Sequence, residues 1–407
     1  MTEAPDMRTG DEVGEAGVGP AATDDAVEAW HWALLGLAGY LPDELISEAR
    51  SWLAAGLRLD IAQAIAFTVT AGQLGAGGGE LRLVRDELAA AGQDSDLVLA
   101  LDALPLDERL PNAWEFRSAD PAANGPGAAM PLDLTGEPGP GGLDVAERAI
   151  VEAAQAEPDA LGLWRSWRVP AGGAPWPRPK RIFVVTAGPP PAEPEPEPRG
   201  SSPAALAAPA ALAALAARLG EVLLAAGEPD PQVEVCPAGV EALPYQVLAR
   251  HSGALLWARQ PAADVTVARV FDEVDPIAGP RFAPDRPRID DPDDRADLLA
   301  WLDAGHPILG TSTRMVDVVV PDRGEVVPMT FRTDGHWVWT DTAAYYLDQH
   351  GIVPDPDLLR HIAAGPYPQR VDEVTLHRVL THLLGPPQEA TVWVVPQMDA
   401  SLSPDPA

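Results

Sequence analysis

The chain has 407 residues, 28 of them basic and 61 acidic, for a formal net charge of -33. A surface this acidic repels polyphosphates unless basic groups are gathered in a patch, and no such patch is visible, so nucleic acid is a poor partner. The length asks for two or three cores, and 45 Pro and 36 Gly are more than packed elements need, so part of the chain is expected to be linker.

A single cysteine, Cys236, makes no internal disulfide, and nothing calls for an oxidising compartment. The first twenty residues are acidic and Gly-rich, with no basic segment leading into an apolar one, and longer apolar runs are broken by Arg58 and Asp60 or by Pro209. The expected location is the cytoplasm, with no membrane span.

Residues 1–22 carry too little apolar surface to offset ordering entropy and are expected to be a disordered acidic tail. From Thr23 the spacing turns helical: Val27, Trp30, Leu34, Leu35 and Ala38 recur at three and four. Pro42 opens a second helix that Gly56 stops, Asp60 caps a third, and Leu81–Ala91 and Leu97–Leu104 supply two more. Short loops between short helices predict an all-α bundle over 23–104.

Residues 105–142 cluster Pro, Gly and Asn and read as a linker, with Trp114 and Phe116 available to dock on a neighbour. Over 143–262 a capped helix (Asp144, then Val145–Ala156), the strand 181–186, a helix 212–226, the strand 232–236, a helix 244–251 and the strand 254–258 predict crossovers in a mostly parallel sheet. The acidic Pro-rich run within 188–203 is expected to be a disordered insertion there.

The last unit, 263–397, is read as α+β, before a disordered tail at 398–407. Asp291 caps a helix that Pro292 opens and Gly305 ends. Strands Val326–Thr333 and His336–Thr340 flank Asp334-Gly335, the strongest hairpin signal in the chain. That register puts Val327, Met329, Phe331 and Val338 on one face, and Thr330, Arg332, Trp337 and Trp339 on the other, with Arg332 opposite Trp337. Helices at 342–350, 356–364 and 372–384 and a strand at 391–395 complete it. The fold class is therefore mixed α/β (α+β): an N-terminal all-α bundle followed by two mixed units.

Chemistry is sparse. Cys236 sits among apolar and acidic neighbours that raise a thiol pKa, and reads as inert. His306, His336, His350, His361, His377 and His382 form no HxH, HExxH or CxxC-type set. Asp290–Asp294 lacks the central Gly and distal Glu of a calcium loop. No metal or cofactor is called for. Arg314, after Thr311-Ser-Thr, and Arg332 are the suggestion of an anion site, with ion pairing the competing use.

Trp337 and Trp339 beside Arg332 make the sharpest lead: two indoles and a guanidinium on one hairpin face suit a protein interface, the competing reading being core beneath the helix from Thr342. The binding residues are thus Arg332, Trp337, Trp339 and Arg314, the expected partner another protein, and the function that of a non-catalytic adaptor. The alternative is a hydrolase or transferase with a pocket in or between the two mixed units.

The stretch Val327–Ile362, with Met329-Thr-Phe-Arg-Thr-Asp-Gly-His-Trp-Val-Trp-Thr-Asp and Tyr345-Tyr-Leu-Asp-Gln-His-Gly-Ile-Val-Pro-Asp-Pro-Asp, resembles segments of uncharacterised proteins of high-GC actinobacteria. The resemblance covers about a tenth of the chain and implies no activity, cofactor or catalytic residue.

Overall fold

A computed structural model describes residues 20–72, 74, 77–93, 95–104, 113–121, 132–136, 142–174, 176–188 and 209–385. In chain order these form α1 (Pro20–Leu37), α2 (Asp43–Ala54), α3 (Arg58–Gly72), α4 (Gly78–Ala90), α5 (Ser95–Asp102), β1 (Trp114–Arg117), β2 (Leu132–Asp133), α6 (Val145–Ala156), β3 (Ala160–Pro170), β4 (Lys180–Ala187), α7 (Pro209–Ala225), β5 (Gln232–Pro237), α8 (Pro244–His251) and β6 (Ala254–Ala258). There follow β7 (Thr266–Val267), β8 (Glu273–Asp275), β9 (Gly279–Arg281), α9 (Pro292–Ala304), β10 (His306–Leu309), β11 (Met315–Val316), β12 (Glu325–Val327), β13 (Phe331–Thr333), β14 (Trp337–Thr340), α10 (Asp341–His350), α11 (Pro356–Ala364) and α12 (Glu373–Leu384). The class is mixed α+β, with helices first and strands behind, as the sequence predicts. Among the described residues no helix is long and apolar enough to cross a membrane.

The chain divides into two compact units, each drawn from three segments: 1–114, 144–159 and 187–246 in the first, and 115–143, 160–186 and 247–407 in the second. In the first unit α7 packs against α1, α2, α6 and β5. Its sequence explains why. Ala and Leu surround the helix on most sides, and Leu212, Ala213, Leu215, Ala216, Leu219 and Leu223 are all buried. Trp30, Leu34, Ile46, Leu53, Ile61, Ile65, Val84 and Leu88 form the core of the α1–α5 bundle. Trp114 docks as anticipated, its indole N–H donating to the Gly39 carbonyl at 2.6 Å.

In the second unit β2, β6, β3 and β4 follow one another across a sheet, and β1 also pairs with β3. β2 runs parallel to β6, but β3 lies antiparallel to it, Arg165 facing Ala254. β3, a strand the sequence reading passed over, thus brings an antiparallel pairing into a sheet expected to be mostly parallel: its Arg and Ser break the apolar run that a buried strand shows in sequence, yet Trp164 and Ser166 are fully buried. A second sheet has the order β10-β13-β14-β7, antiparallel except for β14 with β7.

The helices begin and end close to the predicted positions because their caps are local chemistry. Asp144 and Glu147 close a capping box on α6, Asp291 caps α9, Asp355 caps α11, Asp372 caps α12, and Gly351 ends α10 at φ +66°. Asp60 does not cap α3: the helix starts at Arg58 and Asp60 lies inside its first turn. The range read as linker contributes the short strands β1 and β2. The rest of that range, most of 188–203, residues 1–19, the strand expected at 391–395 and the tail 398–407 lie outside the described residues.

Candidate functional site

The strand predicted over Val326–Thr333 is two strands. Pro328 has no N–H to give a ladder, so β12 ends at Val327 and pairs with β11, and β13 begins at Phe331. The hairpin register also differs from a tight Asp-Gly turn: Thr333 faces Val338 and Arg332 faces Trp339, not Trp337. The cause is side-chain chemistry. Asp334 Oδ1 accepts from the N–H groups of His336 and Trp337, and the Thr333 hydroxyl donates to Trp337 O while accepting from Gly335 N, which together stabilise a wider loop. The slip is by an even number of residues, so Arg332, Trp337 and Trp339 still share a face.

That face is not an open surface. Trp339 is buried against Trp301, ring centroids 5.0 Å apart, and donates to Leu302 O. Arg332 pairs with Asp341 at 2.6 Å and donates to the carbonyls of Asp303 and Gly305, closing the C-terminal end of α9. Half-buried Trp337 lies over His361, which is held by Asp334 at 2.5 Å. Exposed Arg314 donates to Val326 O and tethers its own loop to β12. The structure thus brings Arg332 and Trp339 together as neighbours in the register, leaves Trp337 with His361, and places Arg314 on β12's backbone.

A different element of the same unit presents itself to solvent. β8 and β9 form a hairpin with Asp275 facing Gly279, so residues 276–278 are its tip. Ile277 at that tip is 99% exposed. Asp275 Oδ1 accepts from the N–H groups of Ile277 and Ala278 at 2.8 and 2.7 Å, and these two bonds hold its carboxyl below the usual carboxylate range. Gly279 supplies the left-handed turn at φ +82°. On the arms Glu273 and Arg281 face each other and pair at 2.5 Å.

The root of this hairpin is braced. Phe271 and Phe282, on either side of it, are 5.1 Å apart by centroid and both pack edge-on against the buried Tyr346 of α10. Asp272 accepts from Ala283 N and pairs with Arg286, whose other two nitrogens donate to Val353 O. Tyr346 is fixed in turn: its hydroxyl accepts from Val318 N, and burial pushes its pKa up to about 12. Behind it Asp317, fully buried, accepts at one oxygen from Val319 N and Val320 N and at the other from the Tyr345 hydroxyl and His350 Nε2. Burial alone would raise the Asp317 pKa, but these hydrogen bonds, His350 foremost, hold it below its ordinary value.

No known protein family, curated protein or solved structure matches this chain. The site therefore rests on its own geometry. Among the described residues no group of three or more His, Cys, Asp or Glu is placed to hold a metal ion. Cys236 is buried in β5.

Sequence reasoning passed over both the hairpin and the two His–Asp pairs. The hairpin has a readable mark, an Asp-Pro before a Gly with Glu273 and Arg281 on its flanks and one Ile between. The pairs have none, because their partners are 33 and 27 residues apart.

Proposed function

We propose that the protein works in the cytoplasm as a non-catalytic adaptor that captures another protein, and that the β8–β9 hairpin is the element that makes the contact. The observation that carries this reading is Ile277, a large apolar side chain wholly in solvent on a turn whose backbone and root are both fixed. A rigid, preorganised tip loses little entropy on binding, and burying one Ile contributes about 1.5–3 kcal/mol. The net charge of -33 favours a basic or apolar partner face over nucleic acid. The contact is thereby moved from the Arg332, Trp337 and Trp339 face, whose groups are engaged internally, to this hairpin.

The test is a photo-crosslinking amino acid at position 277 in the source cells, with Leu224 as an exposed apolar control position. A discrete adduct from 277 alone, followed by at least tenfold weaker binding of the purified partner to Ile277→Asp at unchanged melting temperature, is the expected outcome. No adduct from 277, or wild-type affinity in Ile277→Asp, would overturn it.

A specific observation also favours the enzyme reading: His361 is a partly exposed imidazole oriented by a carboxylate, the arrangement of a general base. The adaptor reading stands ahead because Trp337 and Trp301 flank that ring.

A further inference from the structure

α4 and α5 enclose a cleft of about 240 Å³ lined by Gly78, Leu81, Arg82, Arg85, Leu101 and Asp102. Gly78, Leu81, Arg82 and Arg85 are spaced to share one side of α4, and the buried Leu81 and Leu101 give the cleft an apolar floor. Arg85 reaches across it to Asp102, Nη1 to Oδ1 3.2 Å, and also lies 3.8 Å from Asp86. Arg82 is exposed and has neither an ion pair nor a hydrogen bond among the described residues. The lining therefore holds two guanidinium groups against one carboxylate, in a chain whose acidic residues outnumber its basic ones by 61 to 28. The carboxylate of Glu80 turns back towards Gly36 and Gly77 and is not part of the lining.

We infer that this cleft binds a small organic anion: an apolar body on Leu81 and Leu101 with a carboxylate, sulfonate or phosphate group on Arg82. The division of labour follows from the chemistry. Arg82 presents a free planar fork that matches an oxyanion in two hydrogen bonds. Arg85 contributes a weaker field because Asp102 already holds it. The start of α4 at Gly78 adds the positive end of a helix dipole. Asp102 opposes the ligand by like charge, so the site is tuned below its full strength.

Calorimetry on the full chain at low salt would use naphthalene-1-sulfonate, its uncharged counterpart naphthalene-1-sulfonamide, and inorganic phosphate. The sulfonate is expected to bind saturably at one site, with the sulfonamide and inorganic phosphate each at least tenfold weaker, since one lacks the charge and the other the apolar body. Arg82→Gln should weaken the sulfonate about tenfold without moving the thermal transition, because its side chain makes no ion pair or hydrogen bond among the described residues. Asp102→Asn should tighten it several-fold by releasing Arg85. Equal binding of sulfonate and sulfonamide, wild-type affinity in Arg82→Gln, or no sulfonate binding up to millimolar concentration would each overturn the inference.

Discussion

Glu234 lies in the middle of β5, wholly buried, and Arg50 of α2 is its counter-ion at 2.6 Å with only 6% of its surface exposed. An isolated carboxylate at such a place costs several kcal/mol, which the ion pair and one more donor, Gln246 Nε2 at 3.0 Å, offset. Removing one partner strands the other. Arg50→Met leaves a buried carboxylate with a single neutral donor, and Glu234→Leu leaves a buried guanidinium whose Nη1 already has no hydrogen bond. Each is expected to cost about 3–5 kcal/mol. The double variant Arg50→Met/Glu234→Leu removes both charges and should cost far less than the sum. What remains is about 1 kcal/mol for Gln246, which keeps Leu35 O but loses the carboxylate. A coupling energy of about 5 kcal/mol or more is therefore expected from the cycle. Urea unfolding followed by hydrogen exchange in peptides covering 43–54 and 232–237 reads it locally. Additive single effects, with coupling under about 0.5 kcal/mol, would refute the reasoning.

Acid should loosen the fold. His31, buried and bonded to Val235 O, has its pKa lowered to about 4, mainly by burial. The unfolded chain thus binds a proton that the folded one refuses between pH 6.5 and 4: stability is full above that window and falls by about 3 kcal/mol as pH drops through it. His251 and His377 are shifted the same way by burial. His31→Gln should flatten its share of the slope in denaturation measured from pH 7 to 4, and an unchanged slope would count against it. Separately, a methyl group on Gly305 would run into the Trp339 ring, so Gly305→Ala is expected to lower stability by about 1–3 kcal/mol by overpacking, seen as a lower melting temperature with retained secondary structure.

Much of the fold was legible because it is written in neighbours. The caps Asp144, Asp291, Asp355 and Asp372 each act on N–H groups two or three residues away, and Gly351 ends α10 by its own dihedral angle. The segments less legible are those whose partners lie far off in sequence. β2, two residues long, has no periodicity to detect, and β3 is specified by pairing with β6 some ninety positions on.

The hairpin at Asp334 shows where local grammar ends. Asp-Gly admits both a tight turn and a wider loop closed by the Asp side chain, and the choice falls to Thr333 and Asp334, whose oxygens satisfy three N–H groups in the wider form. Because the two registers differ by an even step, the grouping of Arg332, Trp337 and Trp339 survives either choice, and a pattern of faces alone cannot tell them apart. What separates them is who sits opposite Arg332. With Trp339 there and α9 ending beside it, the guanidinium meets the carbonyls of Asp303 and Gly305 and the Asp341 carboxylate, so a face composed like an interface folds as the joint between α9 and α10. Ile277 is different: turn formers mark its hairpin in the sequence, but that its side chain stands 99% exposed at the tip is a fact of the three-dimensional arrangement alone.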